Sequence, residues 1–206
     1  MKNRIANRFR EIVSGSPEGK PKWIAQIEAP GDAGLFGAES AVWEVHGTVA
    51  TLVGGVRALL LQAAHPAALA GVADHSRYET DPLGRLAGTS RWLTITTFAS
   101  TQSIAREAAR VNEMHKKVVG EYQGRDGAVH PYKAQDPRYL LWVHCAFTES
   151  FLVAHQQFAP ALMPSSRFGK KSNHPLTSRE FADRYIAEWS KSAHPLGLHT
   201  APQSLE

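Results

Sequence analysis

The chain has 206 residues, a net charge of +4 and 43% hydrophobic residues, enough for one domain with a real core and too apolar for a disordered chain. Its cations are scattered, and the densest group, Arg167 to Lys171, has no interleaved aromatic residues, which argues against nucleic-acid binding. The lone Cys145 excludes an intrachain disulfide, and MKNRIANRFREIV has no apolar core of a secretory signal, so a cytoplasmic protein is expected.

The N-terminal segment reads as a basic amphipathic helix with Ile5, Phe9, Ile12 and Val13 on one side. Packing on the body is its simplest use, and weak membrane-surface association is the alternative. Residues 15–38 carry repeated Gly and Pro and read as loop. Ser40 caps a helix to about Leu52. A second helix starts near Gly55, with Gly54-Gly55 as the junction, and Pro66 predicts a kink or a stop after Ala64. Glu44, His46, Arg57, Gln62 and His65 interrupt the apolar run 41–72, so no transmembrane segment is expected.

Asp81-Pro82 opens a third helix to about Thr101. Ser103 caps a fourth to Val119, followed by a loop over 121–134. Asp136-Pro137 starts a fifth, to about Phe158, and Thr177-Ser-Arg-Glu180 is a capping box for a last helix to about Lys191. No alternating strand pattern stands out. The class is all-α, a single multi-helix domain. The expected divisions are a basic helix and Gly/Pro-rich loop over 1–37, the helical domain over 38–191, and a frayed tail over 192–206.

Ten histidines make placement the informative question. Ile104, Ala108, Val111, His115 and Val118 recur at helical spacing on one stripe, with His115 in its middle. Leu140, His144, Phe147, Phe151 and Phe158 repeat the pattern on the fifth helix. A histidine on such a stripe is either a satisfied core residue, the commoner case, or an axial ligand to haem iron. His65 sits beside Pro66 and serves the kink equally well. Arg85 and Thr89 are i, i+4 on one face, where spacing alone reads as an ordinary surface pair. No zinc motif, nucleophile–base pair, phosphate loop or dinucleotide fingerprint is present.

Three blocks, RALLLQAAHPAALAGVADHSRYETDPLGRLAGT at 57–89, ARVNEMHKKVVG at 109–120 and YKAQDPRYLLWVHCAFTESFL at 132–152, resemble signature blocks of the oxygenase MpaB / rubber oxygenase (latex clearing protein) family. The resemblance covers about residues 38–190. It implies a globin-like all-α domain that binds one b-type haem and cleaves C=C bonds of an apolar, isoprenoid-like substrate with O₂. It also implies His115 as the iron ligand, with His144 second. Arg85, Thr89 and His65 would lie in the haem pocket, Arg85 and Thr89 taking catalytic roles, and Leu59, Leu60, Trp92 and Phe98 would line a substrate slot. The family's Arg-x-x-Lys-Thr segment reads Arg85-Leu-Ala-Gly88-Thr89 here, so its lysine is absent. Residues 161–175 read as an insertion, and the chain stops where relatives continue with more helices. A haem- or lipid-binding protein without turnover, or an apo family member, is the alternative.

Overall fold

The computed structural model describes residues 20–162 and 178–205 together with Asn7, Glu11 and Ser16, and the side chains of 160–162 are not described. The N-terminal amphipathic stripe, the 161–175 insertion and the Thr177 cap therefore lie largely outside the described residues. A short 3-10 turn, Lys22–Ile24, leads into α1 (Ala25–Glu28). There follow α2 (Ala41–His46), α3 (Ala50–Ala63), α4 (Pro66–His75), α5 (Pro82–Phe98) and α6 (Thr101–His115). A hairpin of β1 (Val119–Gln123) and β2 (Val129–Lys133) comes next, then α7 (Pro137–Leu162), α8 (Ser178–Trp189) and a 3-10 segment, Ser190–Leu196. The chain is all-α apart from that hairpin.

Several boundaries follow from local chemistry. Ser40 Oγ accepts a hydrogen bond from Trp43 N at 3.2 Å, using one of the donors that a helix start leaves unpaired. Asp81 does the same for Gly84 N at 2.9 Å ahead of Pro82. Asp136 accepts from Arg138 N at 2.9 Å at the start of α7. Pro66 ends α3 as expected, because it lacks the N–H that would continue the ladder, and α3 and α4 meet at 104°.

Other expectations fail. The first long helix breaks at Gly47, not Gly54, and α6 is capped by Ser100, three residues before the expected Ser103. Gly54-Gly55 lies inside α3, where both glycines are buried. A Cβ on Gly54 would stand 2.8 Å from Phe151 Cδ1 and 3.0 Å from Ser150 O, so the missing side chain lets α3 lie directly on α7. The pair is a packing device and not a helix junction.

The hairpin is the second departure. Val119 pairs with Lys133 and Gln123 with Val129 in an antiparallel ladder. Gly127 takes a positive φ of 79° in the turn. Gly120 and Pro131 sit within the ladder and weaken the strand signal in sequence. The hairpin is held by its packing: Tyr132 is buried, and its hydroxyl donates to Asp74 Oδ2 on α4 at 2.6 Å.

The third departure is the C-terminus. Ala193, Leu198 and Ala201 are buried with Leu140 of α7. Asn112 Nδ2 donates to Pro195 O at 3.0 Å and Gln203 Nε2 to Ser190 Oγ at 2.8 Å. The segment expected to fray is part of the fold.

The main core gathers Phe36, Val42, Val45, Leu93, Phe151, Leu152, Tyr185, Ile186 and Trp189 from α2, α5, α7, α8 and the segment before α2. His46 lies within it. One ring nitrogen meets Thr97 Oγ1 and the other Tyr185 OH, both at 2.9 Å, so a neutral imidazole is fully satisfied. Burial, helped by nearby His155, pushes its pKa down to about 3. Glu107, also buried, is held by Arg91 and Arg110, the closest contacts being 2.6 Å, which ties α5 to α6.

Two measurements test these arguments. Gly54→Ala is expected to destabilise by roughly 1–3 kcal/mol, because Phe151 and the α7 backbone must shift. At Gly55 the nearest atom to an added Cβ is Leu86 Cδ1 at 4.0 Å, so Gly55→Ala is expected to be neutral or to gain roughly 0.5–1 kcal/mol of helix propensity. Urea unfolding of the two variants distinguishes them. The His46 shift fixes a pH dependence. Between the ordinary 6.5 and about 3, the unfolded chain binds a proton there that the folded chain refuses. Stability is thus complete above pH 6.5 and falls below it, by up to roughly 1.4 kcal/mol per pH unit from this residue. Urea midpoints unchanged between pH 7 and 5 would contradict it.

Candidate functional site

Arg85 and Thr89 share one face of α5, near its N-terminus. The Arg85 guanidinium reaches across to α3, where Nη2 donates to Gln62 Oε1 at 3.0 Å. It is partly buried, and burial lowers its pKa from the ordinary value while leaving it a cation. Among the described residues it has no carboxylate partner. A half-buried guanidinium with only a neutral amide for company is suited to receive an anion. Thr89 Oγ1 donates to Arg85 O at 3.2 Å, so its proton is engaged within the helix and its oxygen remains as an acceptor.

His115 is the last residue of α6 and is half-buried. Its Nδ1 is buried without a hydrogen-bond partner, and Nε2 forms no hydrogen bond among the described residues. Burial, and next the charge of Arg110, lower its pKa, so the ring is neutral at pH 7. A neutral imidazole with unspent nitrogens is the form that ligates a metal. α5 and α6 are joined by only Ala99 and Ser100 and run back along each other, in a register fixed by Arg91 Nη2 on Glu107 Oε2. Six residues further from the joint on each strand of that pair stand Arg85 and Glu113. Arg85 and His115 both lie beyond the Arg91–Glu107 pair, on the side away from the joint. At that end α5 has no buried residue from Pro82 to Trp92, whereas Leu93, Ile95, Thr96 and Thr97 are buried.

His65 is at the α3–α4 elbow, three residues after Gln62. Its ring faces Tyr139 and Trp142 of α7, with centroids 5.2 and 5.5 Å away, and its Nδ1 is buried and unpartnered. Among the four residues expected to line a slot, Phe98 packs edge-on against Trp43 at 4.8 Å. It lies thirteen residues from Arg85, about 20 Å along the helix. Leu60 is 70% exposed. Those four residues do not form one slot.

His144 is placed apart, in the first third of α7. It stacks on Trp189 of α8 with ring centroids 6.5 Å apart, its Nε2 is buried without a partner, and burial with nearby His194 lowers its pKa to about 4. It borders a cavity of about 560 Å³ between α7, α8 and the C-terminal segment, walled by Leu152, Val153, Ala182, Ile186, Pro202 and Leu205. Cys145 faces the same cavity, with burial and Glu149 raising its thiol pKa, so it is no thiolate nucleophile. Among the described residues no three His, Cys, Asp or Glu side chains form a metal cluster. Sequence reasoning missed Gln62, whose polarity within an apolar helix was the available signal.

The sequence matches the family model described as "ER-bound oxygenase mpaB/B'/Rubber oxygenase, catalytic domain" over residues 43–206. That span includes the C-terminal segment as well as every site residue above. No curated relative and no solved structure matches the chain. The match spans most of the sequence and contains the helices that carry Arg85, Thr89, His115 and His144, and the chain belongs to the mpaB/rubber oxygenase catalytic-domain family.

Proposed function

We propose that this protein is a haem-dependent oxygenase that cleaves C=C bonds of an apolar, isoprenoid-like substrate. The observation that carries the reading is His115: a neutral, half-buried imidazole with an unpartnered Nδ1, inside the span that matches an oxygenase catalytic domain. Arg85 supports it as a half-buried cation with no carboxylate partner among the described residues. The donor set fits a b-type haem: His115 would hold the iron, and Arg85 would pair with a propionate. When bound, haem supplies the oxygen chemistry that no side chain here can perform.

The chain's own contribution is then positional. His115 offers a lone pair without first losing a proton. Arg85, steered by Gln62, fixes an anionic edge. Thr89 presents an acceptor oxygen. Gly88 leaves open space, with no atom within 4 Å of where a Cβ would stand, so no side chain of that residue reaches toward a ligand. That feature favours a second reading, haem binding without turnover, because the family's lysine has no replacement at this position.

Titration of the purified chain with hemin is the test. A Soret band is expected that is lost or strongly shifted in His115→Ala and retained in His144→Ala. No band, or the opposite pattern, would remove His115 as ligand. Arg85→Leu is expected to weaken hemin binding roughly tenfold, the loss of one charge-assisted contact of about 1.5 kcal/mol. O₂ consumption on an isoprenoid alkene then separates catalysis from binding alone.

A further inference from the structure

We infer that the cavity between α7, α8 and the C-terminal segment is a second binding site, for a neutral, elongated apolar molecule that carries one hydroxyl group. Its volume of about 560 Å³ is that of a small-molecule pocket, for which roughly 300–1,000 Å³ is usual. The two helices run antiparallel along it: His144 stacks on Trp189 with ring centroids 6.5 Å apart, and His155 on Phe181 at 5.7 Å. Cys145, Glu149, Leu152, Val153 and Gln156 recur at helical spacing on the α7 side, so that wall is about 16 Å long. Ala182 and Ile186 line the cavity from α8, and Pro202 and Leu205 close the third side. That third wall is tied down: Leu205 N donates to Asp183 Oδ1 at 2.9 Å and Gln203 Nε2 to Ser190 Oγ at 2.8 Å. A wall that long around that volume describes a slot.

A polar anchor stands at one end of the slot. Seven buried side chains keep an unpartnered polar atom among the described residues, and His144 alone among them borders the cavity. The unpartnered atom is Nε2, on a ring that burial, with nearby His194, keeps neutral at pH 7 by lowering its pKa to about 4. Thr148, one turn further along α7, is already engaged, its Oγ1 donating to His144 O at 2.7 Å. A neutral imidazole nitrogen donates in one tautomer and accepts in the other. A hydroxyl meets either, whereas a carbonyl meets only the first.

Charge on the wall is already matched. Glu149 Oε1 accepts from Arg57 Nη2 at 2.8 Å, and Arg179 Nε lies 3.8 Å from Asp183 Oδ2. Cys145 stays a neutral thiol, because burial and then Glu149 raise its pKa. A carboxylate or an ammonium group in the slot would be desolvated without a counter-ion, a cost that one hydrogen bond does not offset. A neutral chain ending in a hydroxyl places its methylene groups against Leu152, Val153, Ala182 and Ile186 and its oxygen on His144 Nε2. The ligand needs no C=C bond and the site uses neither His115 nor Arg85, so it stands independently of the proposed reaction.

Isothermal titration calorimetry of the full chain with decanol and with decanoate at neutral pH is the test, run with and without hemin. Decanol is expected to bind at a single site, and decanoate roughly tenfold or more weakly. His144→Phe keeps the stacked ring and removes the nitrogen, and is expected to weaken decanol roughly tenfold. Its urea midpoint is expected to match the parent or exceed it, since Nε2 makes no hydrogen bond in the free protein. Val153→Trp fills the slot and is expected to abolish binding. Circular dichroism checks both folds, and His144→Phe decides alone if Val153→Trp does not fold. No binding of decanol, binding indifferent to His144→Phe, or decanoate bound as tightly as decanol overturns the inference. So does displacement of decanol by hemin, since the cavity would then be the haem pocket. A chain that takes up no hemin but binds decanol sinks the proposed function and leaves this site standing.

Discussion

The contact on which the rest of the structure leans is Gly54 of α3 against Phe151 of α7. Phe151 is 1% exposed, and its ring lies edge-on to His46 at 5.0 Å and to Phe147 at 5.6 Å. A backbone-close crossing at Gly54 brings α3 down onto α7. The same phenylalanine then reaches α2, and His46 carries the connection on to Thr97 of α5 and Tyr185 of α8. Five helices are thus joined through one aromatic ring and one neutral imidazole. Close packing of this kind tolerates little change in volume, which is why an absent side chain matters more here than most that are present.

The crossing also sets the site. With α3 fixed on α7, the end of α3 carries Gln62 toward α5, where it meets Arg85. The buried Glu107 with its two arginines fixes α5 against α6. The buried polar groups divide into two kinds. His46 and Glu107 are fully partnered, which marks them as structural. His65, His115 and His144 each keep a buried nitrogen without a partner. A buried polar atom left unpaired is costly, and Ser76, Thr96, His155 and Trp189 also keep one, so the condition alone does not mark a ligand site.

The apolar outer face of α3 comes from this same geometry. Its inward side holds Ala50, Gly54, Gly55 and Ala58, small residues that permit close approach. Its large residues are displaced outward, to Val53, Val56 and Leu60.

Much was legible in the sequence. Helix starts at Ser40, Asp81-Pro82 and Asp136-Pro137, the stop before Pro66, the all-α class and the family resemblance all follow from short-range rules of capping, proline geometry and helical periodicity, or from local blocks of sequence. Placement of His115 on the inward stripe of α6 was equally visible. Other features depended on partners distant in sequence. Gly54-Gly55 reads as a break unless Phe151, nearly a hundred residues later, is known to lie above it. The hairpin, with Gly120 and Pro131 in its ladder, is held by Tyr132 reaching Asp74. The last fifteen residues look like a tail until Leu140 and Asn112 are found beneath them. His144 is an inward histidine by periodicity and His46 only an interruption of an apolar run, and the fold alone satisfies His46 and leaves a nitrogen of His144 without a partner. Local free energies are written in neighbouring residues; burial, and the partners it demands, are decided by which surfaces the folded chain brings together.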